Sequence, residues 1–215
     1  MMFGTVPSVL GYVSRTGTRS TLEILRAAGW NLLVSAAGVW RTEGFPYAID
    51  NGAWTAHTTG TPWDAGRFNG LVDKLGANAE WVVAPDIVAG GNASLKLTES
   101  WLPRLTTRAR RVLIAVQDGI SPADVAPLIS PAPHAIGLFL GGSTEWKLRE
   151  LATWGRHATE WGAYYHVGRV NTSQRIRACR QARAHSFDGT SVIRFPVNLP
   201  RLHRAATEPL SCRLR

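Results

Sequence analysis

Short apolar runs alternate along the chain with longer segments in which apolar residues recur every three or four positions. The runs are rich in Val, Ile, Leu, Tyr and Phe, and the longer segments have the spacing of amphipathic helices. Eight strands are predicted, near residues 9–13, 31–36, 46–50, 81–86, 111–117, 135–141, 163–168 and 185–188. Strict alternation favours parallel strands with right-handed crossovers, and eight repeats close an α/β barrel. We therefore predict a compact (β/α)8, TIM-like barrel.

Residue types that cap helix N-termini mark the starts of six connecting segments, at Thr18, Asp64, Asn92, Ser121, Ser143 and Thr172. The link from the second strand to the third is too short for a full helix. An open doubly wound sheet is the main alternative, but no Gly-x-Gly-x-x-Gly motif follows an early strand, which weakens its dinucleotide-binding form. We predict one barrel domain over residues 1–197 and a basic C-terminal tail over residues 198–215, with room for one terminal helix.

Composition narrows the class of protein. With 215 residues, 45% of them hydrophobic and 18% charged, the chain can bury one substantial core. No apolar stretch approaches the roughly 20 residues that cross a bilayer, and the first residues lack the layout of a signal peptide. We therefore expect a cytoplasmic protein with no membrane partner. Cys179 and Cys212 lack further cysteines at metal-ligand spacing, so two reduced thiols and no metal site are expected.

Positive charge is concentrated at the end of the chain. The formal net charge is +9, and the stretch from Arg169 to Arg215 holds ten arginines against only Asp188 and Glu208. Guanidinium groups match phosphate oxygens and stack on bases, so a polyanionic partner such as nucleic acid is the natural inference. The alternative is a solvated basic surface without a partner.

Three aspartates directly end apolar runs: Asp50, Asp86 and Asp188. All strands of a parallel barrel open onto the same face, so these carboxylates are expected to meet in one cleft, where they would serve as acid, base or nucleophile. Each also has a purely structural interpretation. Asp50 begins an Asx-Gly type of turn, and Asp86 could cap the helix predicted near Asn92.

Other strand ends carry groups suited to binding. Gln117 ends the fifth strand and offers both a donor and an acceptor, which suits the edge of a purine-like base. Gly141 and Gly142 follow the sixth, where backbone amides could bind a carbonyl oxygen, although a simple loop is the alternative. His166 ends the seventh strand as a candidate substrate-binding residue. The favoured alternative is a core histidine, because no spacing partner identifies it.

The loop after the seventh strand is a candidate nucleic-acid site. Barrels often bind phosphate there, and the candidates are Arg169 in the loop and Arg175 and Arg177 in the helix that follows. Two of the nine tryptophans, Trp54 and Trp63, lie after the third strand, where at most one is expected to stack on a base. The others are expected to pack in the interior.

The order of these motifs resembles that of tRNA-guanine transglycosylases and, more closely, their bacteriophage DNA-guanine transglycosylase relatives. The resemblance covers about residues 46–190. Its segments, in chain order, are Tyr47-Ala48-Ile49-Asp50-Asn51-Gly52-Ala53-Trp54, Ala84-Pro85-Asp86, Val116-Gln117-Asp118-Gly119, Gly137-Leu138-Phe139-Leu140-Gly141-Gly142-Ser143, Tyr165-His166-Val167-Gly168 and Ser186-Phe187-Asp188.

The resemblance implies exchange of guanine in DNA for a free 7-deazaguanine base, without cleavage of the backbone and without a cofactor. Asp188 resembles the nucleophile that attacks C1′, and Asp50 resembles the acid/base that serves the departing and incoming bases. Asp86 resembles the acceptor for the purine N1 and N2 edge, with Gln117 and the amides of Gly141 and Gly142 around O6. Such an enzyme of a virus would work in the host cytoplasm.

The chain also departs from this family. It lacks the cysteine-rich zinc site of the tRNA enzymes, so we expect neither zinc nor the zinc subdomain. It is much shorter than those enzymes, which favours DNA over tRNA, and Ala53 replaces the second glycine after Asp50. Three alternatives stay open: a hydrolase of the N-glycosidic bond, a tRNA-guanine transglycosylase, and a non-catalytic nucleic-acid-binding barrel.

Overall fold

Eight parallel strands close into a barrel in the computed structural model, which describes residues 8–14 and 18–209. Each strand pairs with the next one in sequence, and the last pairs with the first. The strands are β1 Leu10–Ser14, β2 Asn31–Ser35, β3 Tyr47–Asp50, β4 Val82–Val83, β5 Val112–Val116, β6 Ile136–Leu140, β7 Tyr165–Val167 and β8 Ser186–Asp188. The predicted TIM-like fold is therefore confirmed. Two strands are much shorter than predicted: β4 has two residues instead of six, and β7 has three instead of six. At β4, Pro85 has no N–H to extend the ladder beyond Ala84.

Helices follow seven of the eight strands and cover the outside of the barrel. They are α1 Arg19–Ala27, α2 Ala53–Thr59, α3 Ala65–Leu75, α4 Gly91–Leu105, α5 Pro122–Ile129, α6 Thr144–Trp161, α7 Ser173–Gln181, α8 Ser191–Arg194 and α9 Leu199–Thr207. The link between β2 and β3, residues 36–46, forms no helix, as its length predicts. Short 3₁₀ turns occupy Gly76–Asn78 and Pro196–Asn198.

Five of the six predicted helix caps are correct. The side chains of Thr18, Asp64, Ser143 and Thr172 accept a backbone N–H of the first turn, and Ser121 forms a capping box with Asp124. The sixth prediction, at Asn92, is wrong. Gly90 holds the capping position of α4, so Asn92 lies within its first turn.

Alternate strand residues face the barrel interior, and this register decides which strand-end side chains can meet. Tyr12, Leu33, Ala48, Trp81 and Leu113 belong to the cluster that fills the interior. A second and larger cluster packs between the strands and the helices. Because the side-chain period is two, Asp50 follows Ala48 on the inward face, and Asp188 follows Ser186 in the same way.

The helix α9 packs against α7 and β1. Its residues Leu199, Leu202, Ala205 and Ala206 are buried, and the N–H of Val9 donates to Ala206 O at 3.0 Å. The terminal helix expected within residues 198–215 is thus present, and it carries part of the core. Cys212 lies outside the described residues. Across residues 8–14 and 18–209, no helix is both long and apolar enough to span a membrane.

Candidate active site

Asp50 stands at the end of β3, where the backbone turns sharply. Its Oδ2 accepts the N–H of Gly52 at 3.2 Å, and Gly52 has a positive φ of 82° that favours glycine. A Cβ on Gly52 would stand 3.1 Å from the backbone nitrogen of Ala37, so this turn also needs the space. The Asx-Gly turn expected as an alternative is therefore present, and it orients the carboxylate into the barrel mouth.

The carboxyl group of Asp50 is electrostatically coupled to the other two aspartates. Burial raises the pKa of Asp50 to about 6; the Ser35 hydroxyl opposes the rise, and the negative charges of Asp188 and Asp86 add to it. Such coupling requires proximity. The three acids, at the ends of β3 and β8 and three residues after β4, thus lie near one another, and Asp50 keeps its proton to a higher pH than an ordinary aspartate.

Asp86 is held by a neighbour from β3 that the sequence did not single out for this role. The amide of Asn51 donates to Ala84 O at 2.7 Å and to Asp86 Oδ1 at 2.8 Å, and its own oxygen accepts the N–H of Ala53 at 2.8 Å. Burial raises the pKa of Asp86, while the bond from Asn51 and the charge of Arg169 lower it. Asp86 does not cap α4, whose capping position is four residues further along.

Asp188 is surrounded by hydrogen-bond donors. Its side chain is 13% exposed, and Oδ1 lies 3.0 Å from His166 Nε2. The N–H of Arg169 donates to both carboxylate oxygens at N···O distances of 3.2 Å, and Arg169 itself adopts a positive φ of 58°. A non-glycine residue in this conformation is strained, and this strained residue lies in direct contact with Asp188.

His166 links Asp188 to a chain of hydroxyl groups in the barrel interior. Its Nδ1 lies 2.7 Å from Ser186 Oγ, and Tyr164 OH donates to the same Oγ at 2.8 Å. Ser186 therefore has its own proton free to donate to Nδ1, which leaves the ring proton on Nε2, pointing at Asp188. Burial lowers the pKa of His166 despite the opposing effect of Asp188, so the ring is neutral.

The favoured alternative, a buried core histidine, describes the surroundings of His166 well. The ring is completely buried, stacked on Phe139 at 4.9 Å and close to Trp81 at 4.5 Å between ring centroids. It nevertheless contacts the candidate nucleophile directly. Its place is beneath the cleft, where it orients Asp188 and has no exposed edge for a substrate.

Lys147 on α6 is a buried cation close to Asp188 that the sequence analysis missed. Its side chain is almost fully buried, and Nζ donates to Gly168 O. Burial and the neighbouring charge of Arg169 lower the pKa of Lys147 to about 8, while Asp188 raises it. A signal was available, because Lys147 shares the buried stripe of α6 with Leu151, Trp154 and Ala158 at spacings of three and four residues.

Gln117 and the glycine pair differ from the expected base-binding arrangement. Both ends of the buried Gln117 amide bind the loop after β4: Nε2 donates to Ile87 O and Oε1 accepts from Ala89 N, each at 2.7 Å. The N–H of Gly141 donates to Val116 O at 2.9 Å. The Gln117 amide and the Gly141 N–H therefore already have backbone partners, and Gly142 contributes its carbonyl oxygen to a bond from Arg169. Gln117 therefore positions the loop that carries Asp86.

Arg169 joins the acids to the aromatic residue of the β3 loop. Its guanidinium lies 4.1 Å from the ring centroid of Trp54 and donates to Gly142 O. Trp54 is 45% exposed, whereas Trp63 packs on Phe68 and donates to Asn51 O at 2.8 Å. Trp54 is therefore the tryptophan with an exposed edge, and Arg169 covers one face of its ring.

The arginines of α7 have different environments. Arg177 is exposed, and Arg175 is partly exposed near the helix start, where its N–H donates to Thr172 Oγ1 at 3.3 Å. Arg180 is buried and donates to Ala205 O at 3.3 Å and to Glu208 O. Part of the basic charge of this segment therefore attaches α9 to the barrel, whereas Arg175 and Arg177 are more accessible to solvent.

A separate cavity of about 180 Å³ opens beside the acidic cleft. Its lining includes Asn51, Gly52, Thr55, Trp63 and Arg67, but none of the three aspartates. The acids themselves have no metal-binding arrangement: within the described residues no group of three or more His, Cys, Asp and Glu side chains could hold a metal ion.

Comparison with known proteins adds no family to this geometry. The chain matches no model of a known protein family, and no significant match is found among curated proteins.

Proposed function

We propose that the protein replaces guanine in DNA by a 7-deazaguanine base through a covalent intermediate on Asp188. The observation that carries the proposal is the meeting of Asp50, Asp86 and Asp188 at one barrel mouth, with the pKa of Asp50 raised to about 6. Displacement at an anomeric carbon needs one ionised carboxylate and one carboxyl group that can give up a proton. The surroundings of Asp188 and Asp50 suit these two tasks.

In the first step, a carboxylate oxygen of Asp188 attacks C1′ of the target nucleotide. The bond from C1′ to the base breaks, its electron pair leaves with guanine, and protonated Asp50 donates a proton to the departing base. In the second step, Asp50 removes a proton from the incoming base, whose nitrogen then attacks C1′ and releases the Asp188 carboxylate. Atoms and charges balance without an external acid or redox partner.

Donors at Asp188 support its role as nucleophile. The Nε2–H of His166 occupies Oδ1, while Oδ2 accepts only the long bond from the Arg169 N–H among the contacts of the described residues. Oδ2 is therefore the freer oxygen for attack. The fixed donors also hold the carboxylate in one orientation, which lowers the entropy cost of reaching the transition state.

Asp86 and Arg169 support recognition of base and backbone. Asp86 can accept the N1–H and N2–H of a guanine-type base, while Asn51 keeps the carboxylate oriented at Oδ1. The guanidinium of Arg169 lies over the ring of Trp54. Together the two side chains offer a cation for a phosphate and an aromatic face for a base. The target would have to leave the duplex to reach the acids.

The decisive experiment incubates purified protein with guanine-containing DNA and an isotopically labelled 7-deazaguanine, and analyses the nucleosides by mass spectrometry. Incorporation of label by wild-type protein and its loss in Asp188→Asn would support exchange. The matched control is Asp118→Asn, which changes a strand-end aspartate whose oxygens bind the Ser143 N–H and hydroxyl at 2.7 Å. Abasic sites without incorporation would instead identify a hydrolase, and no product at all a binding protein.

A further inference from the structure

Exposed large apolar side chains gather in the segments that follow the three aspartates. Within the part of the chain that the structure describes, these exposed residues are Ile24, Val39, Trp54, Ile87, Leu148, Phe195 and Val197. Four of them lie within nine residues after one of the acids: Trp54, Ile87, Phe195 and Val197. Apolar surface left in water is unfavourable, and its concentration around one cleft indicates a binding role.

Phe195 and Val197 lie in a turn after β8 that hydrogen bonds hold in place. Phe195 is 60% exposed and Val197 85% exposed. The turn is closed by hydrogen bonds from Asn198, whose N–H donates to Phe195 O at 2.9 Å and whose amide donates to Ser191 Oγ at 3.0 Å. The amide oxygen of Asn171 accepts the N–H of Ser191 at 2.9 Å, which ties the turn to the loop after β7. The two apolar side chains are thus presented on a pre-ordered support.

Positive charge flanks this apolar turn. Arg194 directly precedes Phe195, and Arg201 lies four residues after Val197. Both arginines are exposed. No ion pair joins either guanidinium to an acidic side chain within residues 18–209. An apolar tip between two cations complements stacked bases bordered by phosphates, because the bases offer apolar faces and the backbone offers anions.

We propose that Phe195 and Val197 form a wedge that enters the base stack of a nucleic-acid duplex next to the target nucleotide. The wedge fills the space that the target base leaves when it turns toward Asp188, seven residues earlier in the chain. Unstacking a base step is unfavourable, and apolar contact with the neighbouring bases offsets part of that cost. The inference deepens the proposed function and rests on it for the identity of the target base.

The test compares the double variant Phe195→Ala/Val197→Ala with the matched control Ile24→Ala/Leu148→Ala. The control removes two apolar side chains that are 42% and 43% exposed on α1 and α6. Binding is measured by anisotropy on a DNA duplex, an RNA stem and the corresponding single strands. A 2-aminopurine next to a target guanine reports unstacking, and sedimentation velocity reports the oligomeric state of each protein.

The wedge predicts that the double variant loses about tenfold or more in duplex affinity and the 2-aminopurine signal, while single-strand affinity changes less than about twofold. Equal losses on duplex and single strand, no loss on either, or no binding by wild-type protein would each overturn it. A wild-type dimer that the double variant converts to monomers would assign the turn to self-association and also overturn it. Wild-type unstacking that depends on the wedge but gives no base exchange would support the wedge and reject the proposed function.

Discussion

The ends of β3 and β8 each present an aspartate to the same cleft, but the two carboxylates have different surroundings. Burial and the nearby charges of Asp188 and Asp86 raise the pKa of Asp50 to about 6, although its carboxyl group accepts the N–H of Gly52. Asp188 receives donors from His166 and Arg169, with the cation of Lys147 nearby. Two aspartates at equivalent strand ends therefore differ in their chemical environment. The environment of Asp50 suits proton transfer, and that of Asp188 suits a nucleophile.

The variant with the largest expected effect on activity is Asp188→Asn, which tests the role of Asp188 as the nucleophile. An amide keeps the shape of the side chain but lacks the charge and nucleophilicity, so base exchange should fall by about 10⁴-fold or more. Denaturing gel electrophoresis of protein mixed with DNA should show a covalent species for wild type and none for the variant. Exchange within about tenfold of wild type would transfer the nucleophilic role to another residue.

Asp50→Asn should lower exchange by about 10²- to 10⁴-fold, because the departing base loses its proton donor. The pH dependence separates this role from a structural one. Wild-type single-turnover release of guanine should fall as pH rises above about 6, where Asp50 ionises, and the residual rate of the variant should lack that fall. A pH profile that is the same in both proteins would contradict the assignment of Asp50 as the acid.

The same Asp50 variant should also stabilise the fold at neutral pH. The pKa of Asp50 is raised in the folded state, so the stability associated with its neutral form is present below about pH 4 and lost as pH rises through about 6. Asp50→Asn should therefore gain at most about 3 kcal/mol over wild type in free energy of unfolding at pH 8, and almost nothing at pH 4. Urea unfolding at both pH values measures the difference.

Asp118→Asn provides a control in which the free energy of unfolding should change in the opposite direction. Burial tends to raise the pKa of Asp118, but the hydrogen bonds from the Ser143 N–H and hydroxyl together outweigh it, and the pKa is lowered. Its contribution to stability is present at neutral pH and lost on acidification, so Asp118→Asn should destabilise the fold at pH 8 and not at low pH. Parallel behaviour of the two variants would mean that burial at Asp50 does not govern its titration.

The smallest expected effects concern the chain of hydrogen bonds beneath Asp188. His166→Phe keeps an aromatic ring beside Phe139 but removes the Nε2–H donor, and exchange should fall by about 10- to 100-fold. Tyr164→Phe breaks only the far end of the chain, at Ser186, and should cost about two- to fivefold. Steady-state kinetics should place both losses in kcat, with KM unchanged. A Tyr164 effect equal to that of His166 would imply proton transfer along the chain.

Apart from the end of β4, the strand limits were predictable to within about two residues because the alternation of side chains in a strand is a local property of the sequence. The alternation of strands and helices likewise follows from hydrophobic spacing, and five helix starts follow from their capping residues. In a barrel, side chains alternate between inside and outside every two residues along a strand, and this alternation places Asp50 and Asp188 on the inward face. The sequence by itself therefore determined the fold class and the common face of the acids.

Only the tertiary structure decided how the remaining polar groups are used. Nothing local in the sequence joins Asn51 to Asp86 or His166 to Asp188, since these contacts cross between strands. Nothing in the sequence around Gln117 indicates its partners. Its side-chain oxygen and nitrogen bond to Ala89 and Ile87 because the loop after β4 passes beside it. The physical reason is that hydrogen bonding and desolvation depend on neighbours distant in the chain, whereas strand and helix periodicity depends on residues that are adjacent.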